Sequence, residues 1–325
     1  GFGMVEKQPK VMVLHDEPEL YLDIIEERFP DLEKVLCKTS TEVPEILEAF
    51  KPDVVMSFRR IPPGPFPQEA LTTSSTIKWI HSGGAGSDHI VPWDPDHVTV
   101  TNSSGIHVAA LSQYVITQVL WFCADMPRFQ CQQSAHQWER HPIDTIDGRT
   151  LLVVGMGNIG TGIAKRASAL GMRVIGLRTA PGESPYAEKV LAIEDLDACL
   201  PEAHFVALTL PRTGRTRGLF DAARLARFKS GSYLINIARG DIVDEAALID
   251  ALKDGPIAGA AMDVFSEEPL PTENPFWDME NVIVTPHTGD PKDWERRAVE
   301  IFCDNLERYI KGEALINIVL PDRGY

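Results

Sequence analysis

The chain has 325 residues, of which 44% are hydrophobic and 24% charged. At about 150 residues per domain that predicts two domains, and it excludes a disordered tail, a collagen-like rod and a disulfide-stapled miniprotein. A net charge of −16 without any Lys/Arg-rich run argues against a nucleic-acid footprint or an anionic membrane surface as a partner, because nothing offsets the repulsion.

Gly1 to Gly3, ahead of Met4, read as a cloning remnant, and no secretory signal pattern follows. Lys10 to Leu14 reads as a strand, Glu19 to Phe29 as a helix stopped by Pro30, and Pro44 to Phe50 as a short helix with proline near its start. Val35–Cys37, Val54–Met56 and Ile77–Ile80 are further strands, and Pro62 to Pro65 is a rigid turn. This β-α-β rhythm predicts a mainly parallel sheet covered on both faces. Ala109 to Phe129, apolar and free of Gly and Pro until Pro127, reads as one long helix bridging two domains.

A second series starts at Thr150. Leu151–Val154, Met172–Leu177, Phe205–Leu210, Tyr233–Ile237, Ala258–Val264 and Val282–Thr285 are predicted strands. They alternate with helices at Ile159–Leu170, Ile193–Leu200, Asp221–Arg227 and Glu245–Lys253. The expectation is a doubly wound sheet of about six strands. The amphipathic stretch Lys292–Lys311 is a last helix returning to the first domain. The predicted division is 1–105 with 291–325 as one domain and 106–290 as the other. No apolar run approaches the ~20 residues of a bilayer span. Five cysteines, odd in number, widely spaced and without CxxC, predict free thiols, no zinc site and a cytoplasmic location.

Gly155-Met156-Gly157-Asn158-Ile159-Gly160 is a GxGxxG loop set directly between a strand and a helix, the context a dinucleotide needs. Gly155 allows the tight turn, Gly157 lets a pyrophosphate approach the backbone, and Gly160 lets helix and strand pack closely. Asn158 and Ile159 open the helix whose free N–H groups would face the phosphates. Where an NAD site carries a carboxylate for the ribose 2′-hydroxyl, this chain has Arg178 and Thr179, a fork and a hydroxyl suited to a 2′-phosphate. NADP(H) is therefore expected ahead of NAD(H). Past the last three strands lie Arg239, then Asp263 with Glu267 and Glu268, then His287, so a cofactor, an arginine, an acid and a histidine can meet in one cleft.

These segments, GMGNIG, LPRTGRTRGLF, INIARGDIVDE, AMDVFSEEPLP and NPFWDMENVIVTPH, in that order and with GGAGSDHI ahead of them, resemble the D-isomer-specific 2-hydroxyacid dehydrogenases over residues 80 to 290. The resemblance implies two doubly wound α/β domains, a Rossmann nucleotide domain and a flavodoxin-like substrate domain, with a cleft between and a homodimer formed through the former. It implies His287 as acid/base, Glu268 as its carboxylate partner and Arg239 as the substrate-binding arginine. Asp263 would bind the nicotinamide carboxamide, with Pro211, Thr216, Ala238 and Gly289 at the cofactor. Gly83, Gly84 and Ala85 would meet the substrate carboxylate through backbone N–H groups.

The chemistry suits these types. Reduction of a 2-keto acid builds charge on the keto oxygen, which imidazolium can protonate. A carboxylate nearby raises the imidazole pKa and orients the ring. Arginine offers a planar fork to a carboxylate. Arg178-Thr179 and the surroundings of Gln113 and Trp138 are similar to the glyoxylate/hydroxypyruvate reductases. The chain departs from the family at Thr288-Gly289-Asp290-Pro291, where small residues are usual, and at Gln113, where Glu is usual. Other readings are a dehydrogenase for another 2-hydroxy acid using NAD, a formate dehydrogenase, against which Glu268 argues because that family pairs its histidine with Gln, and a non-enzymatic NAD(P)-sensing scaffold of the same fold.

Overall fold

The computed structural model describes residues 8–58, 65–87, 89–211 and 213–321. Gly1–Gly3, most of the turn at 62–65, Asp88 and Arg212 lie outside these residues. The chain divides into two compact units, 1–107 with 291–325, and 108–290.

The first unit opens with β1 (Val11–Leu14), β2 (Lys34–Cys37), β3 (Val54–Ser57), β4 (Trp79–Ser82) and β5 (Thr99–Thr101). All pair in parallel, Val11 lying beside both Lys34 and Val54. The four residues of β1, of β3 and of β4 are buried throughout, as expected when helices cover both faces. The second unit carries β6 (Thr150–Val154), β7 (Arg173–Arg178), β8 (Lys189–Ala192), β9 (Phe205–Leu208), β10 (Ser232–Asn236), β11 (Ile257–Met262) and β12 (Val282–Val284). Its sheet runs β12-β11-β10-β9-β6-β7-β8 and is parallel throughout. Counted from β6, that is the Rossmann order 3-2-1-4-5-6 with one strand added, and the order reverses between β6 and β9.

After the second unit the chain forms the helix Trp294–Lys311 and β13 (Ile318–Val319), which pairs antiparallel with β5. The first sheet is therefore β13-β5-β4-β3-β1-β2. That is the flavodoxin-like strand order with an antiparallel strand at one edge. The returning helix buries Ala298, Val299, Phe302, Cys303 and Leu306 against Val11, Val13, Trp79 and Ile25.

Several elements differ from the sequence expectation, each for a local reason. The long helix is two, Val108–Cys123 and Met126–Ser134, and both belong to the second unit rather than bridging domains. Pro127 cannot donate to the Cys123 carbonyl, so the first helix ends there, and Asp125 turns the chain at φ +52°. Glu19–Phe29 begins as a 3₁₀ turn at Pro18–Tyr21 and becomes α only over Leu22–Arg28. Ile193–Leu200 likewise opens as a 3₁₀ turn and is α-helical only over Leu196–Cys199. The second sheet has seven strands, not six. The strand missed by sequence, β8, is a half-buried edge with one fully buried residue, which gives no continuous apolar run. Among the described residues no helix is long and apolar enough to cross a membrane, and no three His, Cys, Asp or Glu groups gather as a metal site.

Candidate active site

The GxGxxG loop leaves β6 at the point where the strand order of the second sheet reverses. Gly155 has φ +113°, and a Cβ there would lie 2.6 Å from Thr209 Oγ1. Its N–H and that of Met156 both donate to Leu177 O at 2.9 Å. A Cβ on Gly160 would fall 2.0 Å from Gly155 O, so helix and strand touch through glycine alone. Gly157 is different: a Cβ there would meet nothing within 4 Å. It is the N-cap of the helix Asn158–Ala169, whose first turn has no side-chain cap. Asn158 is exposed, Ile159 packs on the core, and the first amide to find a backbone acceptor is Thr161, on Gly157 O. Open backbone and uncapped N–H groups fit a dinucleotide pyrophosphate.

Arg178 ends β7. Its Nε–H donates to Ala180 O at 2.5 Å, and its guanidinium lies over Gly182, where a Cβ would be 2.1 Å from Nη2. Thr179 is exposed beside it. In the loop after β9, the Thr216 hydroxyl donates to Pro211 O at 2.8 Å, so these two close the loop on itself.

At the end of β10 the fully buried Asn236 shapes the next turn. Its Oδ1 accepts from Ala238 N–H at 3.0 Å and its Nδ2 donates to Arg239 O at 3.1 Å. Arg239 is exposed, donates through Nη1 to Ala238 O at 2.7 Å, and has no ion pair among the described residues. Gly240 packs so tightly that a Cβ would be 1.8 Å from Phe265 C. The Phe265 segment in turn places Glu268: Phe265 N–H donates to Glu268 Oε1 at 2.9 Å, and Glu268 Oε2 is 2.8 Å from His287 Nδ1. Glu267 makes no such contact, and its neighbour Ser266 donates its N–H to Glu245. His287 and Glu268 side chains are 50% and 36% exposed, open to a ligand and to water.

His287 holds a left-handed backbone, φ +52°, which L-residues adopt at a cost. Asp263, 1% exposed, clamps it there. His287 N–H donates to Asp263 O at 2.9 Å, and on either side Thr285 Oγ1 (2.7 Å) and Thr288 N–H (2.9 Å) donate to Asp263 Oδ1. With the Thr285 proton so used, Tyr114 OH donates to Thr285 Oγ1 at 2.8 Å. Burial raises the pKa of Asp263, opposed by these two donors, and pushes that of Tyr114 up to about 12. Gly289 faces Leu111, where a Cβ would be 2.6 Å from Cδ2, so its smallness serves packing against the helix Val108–Cys123. Tyr114, Thr285 and Asn236 were not singled out by sequence. Thr285 and Asn236 lie inside signature segments, Thr-Pro-His and Ile-Asn-Ile-Ala-Arg-Gly, and Tyr114 carried no signal.

In the first unit, Gly83 does not offer its amide to a substrate as expected, because that N–H donates to Ser57 O at 2.7 Å. It is glycine because a Cβ would be 2.4 Å from the Phe58 ring. Gly84 and Ala85 are half-buried beside it. Gln113 is exposed, and Trp138 is 94% exposed.

A parallel sheet of Rossmann order, with an open glycine loop at its reversal point and a histidine-glutamate pair past its strands, defines an NAD(P)-binding oxidoreductase. The family model for "D-isomer specific 2-hydroxyacid dehydrogenase, NAD binding domain" matches residues 116–289. The chain belongs to that family. It is 31% identical over 325 residues to the glyoxylate reductase of Korarchaeum cryptofilum, covering 96% of each chain. It is 30% identical to the D-3-phosphoglycerate dehydrogenase of Methanocaldococcus jannaschii, over 95% of this chain but only 59% of that protein. The NADPH-dependent glyoxylate/hydroxypyruvate reductase of Sinorhizobium meliloti, solved with NADP and sulfate, superposes with a TM-score of 0.80 at 27% identity, covering 98% of this chain and 100% of that one.

Proposed function

We propose that the chain is a cytoplasmic, homodimeric NADPH-dependent reductase of small 2-keto acids, glyoxylate and hydroxypyruvate foremost, giving D-2-hydroxy acids. The observation that carries this reading is the pair His287 Nδ1–Glu268 Oε2 at 2.8 Å, set past the strands of the same sheet that bears the open glycine loop. Glu268 holds the ring by Nδ1, which leaves Nε2 to give a proton to the keto oxygen as negative charge builds there. Its own Oε1 is held by Phe265 N–H, so the carboxylate cannot swing away. Arg239, without an acidic partner among the described residues, is available to hold the substrate carboxylate and polarise the carbonyl. Bound NADPH supplies the hydride. Asn158, Ile159 and Gly160 would hold its pyrophosphate, and the buried Asp263, whose Oδ1 takes both donors, would offer Oδ2 to the carboxamide. The deciding experiment is NADPH consumption against a panel of 2-keto acids, repeated with NADH, and with 3-phosphoglycerate in the oxidative direction. Tight NADPH binding without turnover of any member would favour a sensing scaffold.

The cofactor preference rests on Arg178 and Thr179, and on the NADP bound by the Sinorhizobium relative. An arginine–phosphate contact is a charge-assisted hydrogen bond worth about 1.5–3 kcal/mol, or roughly tenfold to hundredfold in affinity. Arg178→Asp is expected to raise the KM for NADPH by that factor and to favour NADH. An unchanged ratio of kcat/KM for the two cofactors would remove Arg178 from the phosphate.

A further inference from the structure

We infer that Gly182 is a specificity-determining residue for the cofactor: it is the seat on which the turn after β7 holds the Arg178 guanidinium, with the two terminal nitrogens left open to a 2′-phosphate. The inference rests on the NADPH preference proposed above and deepens it. Gly182 acts here through Arg178, as a positioning residue, and supplies no contact of its own.

The seat is built by the way the chain returns from β7 to β8. These strands are parallel neighbours at the end of the sheet, with Gly176 beside Val190 and Arg178 beside Ala192, so the connection between them must double back. It does so through one antiparallel bridge, in which Gly182 N–H donates to Val190 O at 3.2 Å. Further along, Ser184 Oγ accepts from Tyr186 N–H at 3.2 Å, and Glu188 N–H donates to Val174 O at 2.9 Å. Tyr186 and Ala187 pack on the core that contains Val174 and Val190. The backbone at 182 is therefore held from β8 and from the core, independently of Arg178.

Against this fixed backbone lies the arginine. A Cβ on Gly182 would be 2.1 Å from Arg178 Nη2, 3.2 Å from Cζ and 3.7 Å from Nε, and these are its three nearest atoms. The space that a side chain at 182 would take is thus the space that the guanidinium fills. Nothing else asks for glycine there: Gly182 is exposed, and its backbone is not left-handed. The Nε–H donates to Ala180 O at 2.5 Å, while Nη1 and Nη2 meet no acceptor and no acid among the described residues. A guanidinium tethered by one nitrogen presents the other two as a planar fork. Its direction is decided before any ligand arrives, so little side-chain ordering remains to be done on binding. A phosphate on the ribose 2′ position matches that fork in charge and shape, whereas the 2′-hydroxyl of NADH brings no charge to it. The open glycine loop, by contrast, faces the pyrophosphate that both cofactors share.

The test uses the full-length protein and reads binding without substrate, by fluorescence titration with NADPH and with NADH. The variants are Gly182→Ala, Arg178→Ala and the two together. The methyl group added at 182 meets only the far end of a flexible side chain, so the arginine moves and the fold stays. Gly182→Ala is expected to raise the Kd for NADPH about tenfold, the loss of one charge-assisted contact, with the Kd for NADH changed less than twofold and the melting temperature as in the wild type. Arg178→Ala should lose at least as much, and the double variant no more than Arg178→Ala alone, because the seat acts only through the arginine. Wild-type NADPH affinity in Gly182→Ala beside a loss in Arg178→Ala would overturn the inference and leave Arg178 at the phosphate. Equal losses for NADPH and NADH, or additive losses in the double variant, would also overturn it, because the glycine would then act apart from the guanidinium. Unchanged NADPH affinity in Arg178→Ala would overturn the inference and the proposed preference together. Arg178→Lys reads the seat without any change at 182: it keeps the charge but has neither the fork nor the Nε tether, and it should bind NADPH within about threefold of Arg178→Ala. Wild-type affinity in that variant would overturn the inference as well.

Discussion

His287→Ala is expected to lower the rate of 2-keto acid reduction by ~10²–10⁴, the usual contribution of a positioned general acid. The argument is geometric. Glu268 grips Nδ1 at 2.8 Å and Asp263 clamps the backbone on both sides, so a side chain half open to solvent is nevertheless held in one place. In reduction the imidazole must begin protonated, because it gives up a proton as the hydride arrives, and oxidation of the hydroxy acid needs the neutral ring. Glu268→Gln keeps a side chain of the same shape but removes the charge beside the ring. It is expected to lower the rate of reduction by less than His287→Ala does, because the ring stays in place to give the proton. Steady-state rates of the three proteins, in both directions, read these losses directly. Wild-type turnover by His287→Ala at neutral pH would mean that another group supplies the proton.

How much of this was visible in the sequence differs from element to element. The buried parallel strands were legible, because a strand covered on both faces must be apolar throughout, as Leu151 to Val154 are. The glycine loop was legible because tight turn, open approach and helix contact each demand glycine for a separate reason, and the spacing records all three. The edge strands β2 and β12 were legible too, but β8, β13 and the three-residue β5 were not. β8 and β13 bury little, so their residues carry no pattern, and the helix Gln68–Thr72 is too short to show a period. The break at Asp125 is not legible, because the apolar run Ala109–Phe129 reads as one helix across Pro127, whereas that proline stands in the first turn of a second helix. Within the site, residues that carry charge toward a ligand stand out as types, and Arg239, Glu268 and His287 are of that kind. Those that act by holding others do not. Asn236 and Thr285 lie inside signature segments and Tyr114 in none, but what each of them holds is shown by the partners that folding brings to it.

Arg239→Ala is expected to cost roughly 10²–10³ in kcat/KM for the keto acid, the range found when one preorganised donor to a developing charge is lost. Arg239→Lys should recover only part of it, because an ammonium keeps the charge but not the planar two-pronged fork. Among the described residues the guanidinium meets no acid, and it donates to the carbonyl of the residue before it, so substrate does not have to displace an ion pair. The turn that presents it is rigid for reasons unconnected with substrate: the Asn236 side chain bonds the backbone on both sides of Ala238, and Gly240 rests on the Phe265–Ser266 peptide. The loss should therefore fall on KM for the keto acid and on kcat, while NADPH affinity, measured by fluorescence titration without substrate, stays near the wild-type value. Gly240→Ala is the contrasting variant. Its Cβ would sit 1.8 Å from a backbone carbon that cannot move without dragging Glu268, so both soluble yield and activity should collapse together. If Arg239→Ala instead weakened NADPH binding as much as it weakened the keto acid, the guanidinium would be holding the cofactor, and the fork would have to be removed from the substrate site.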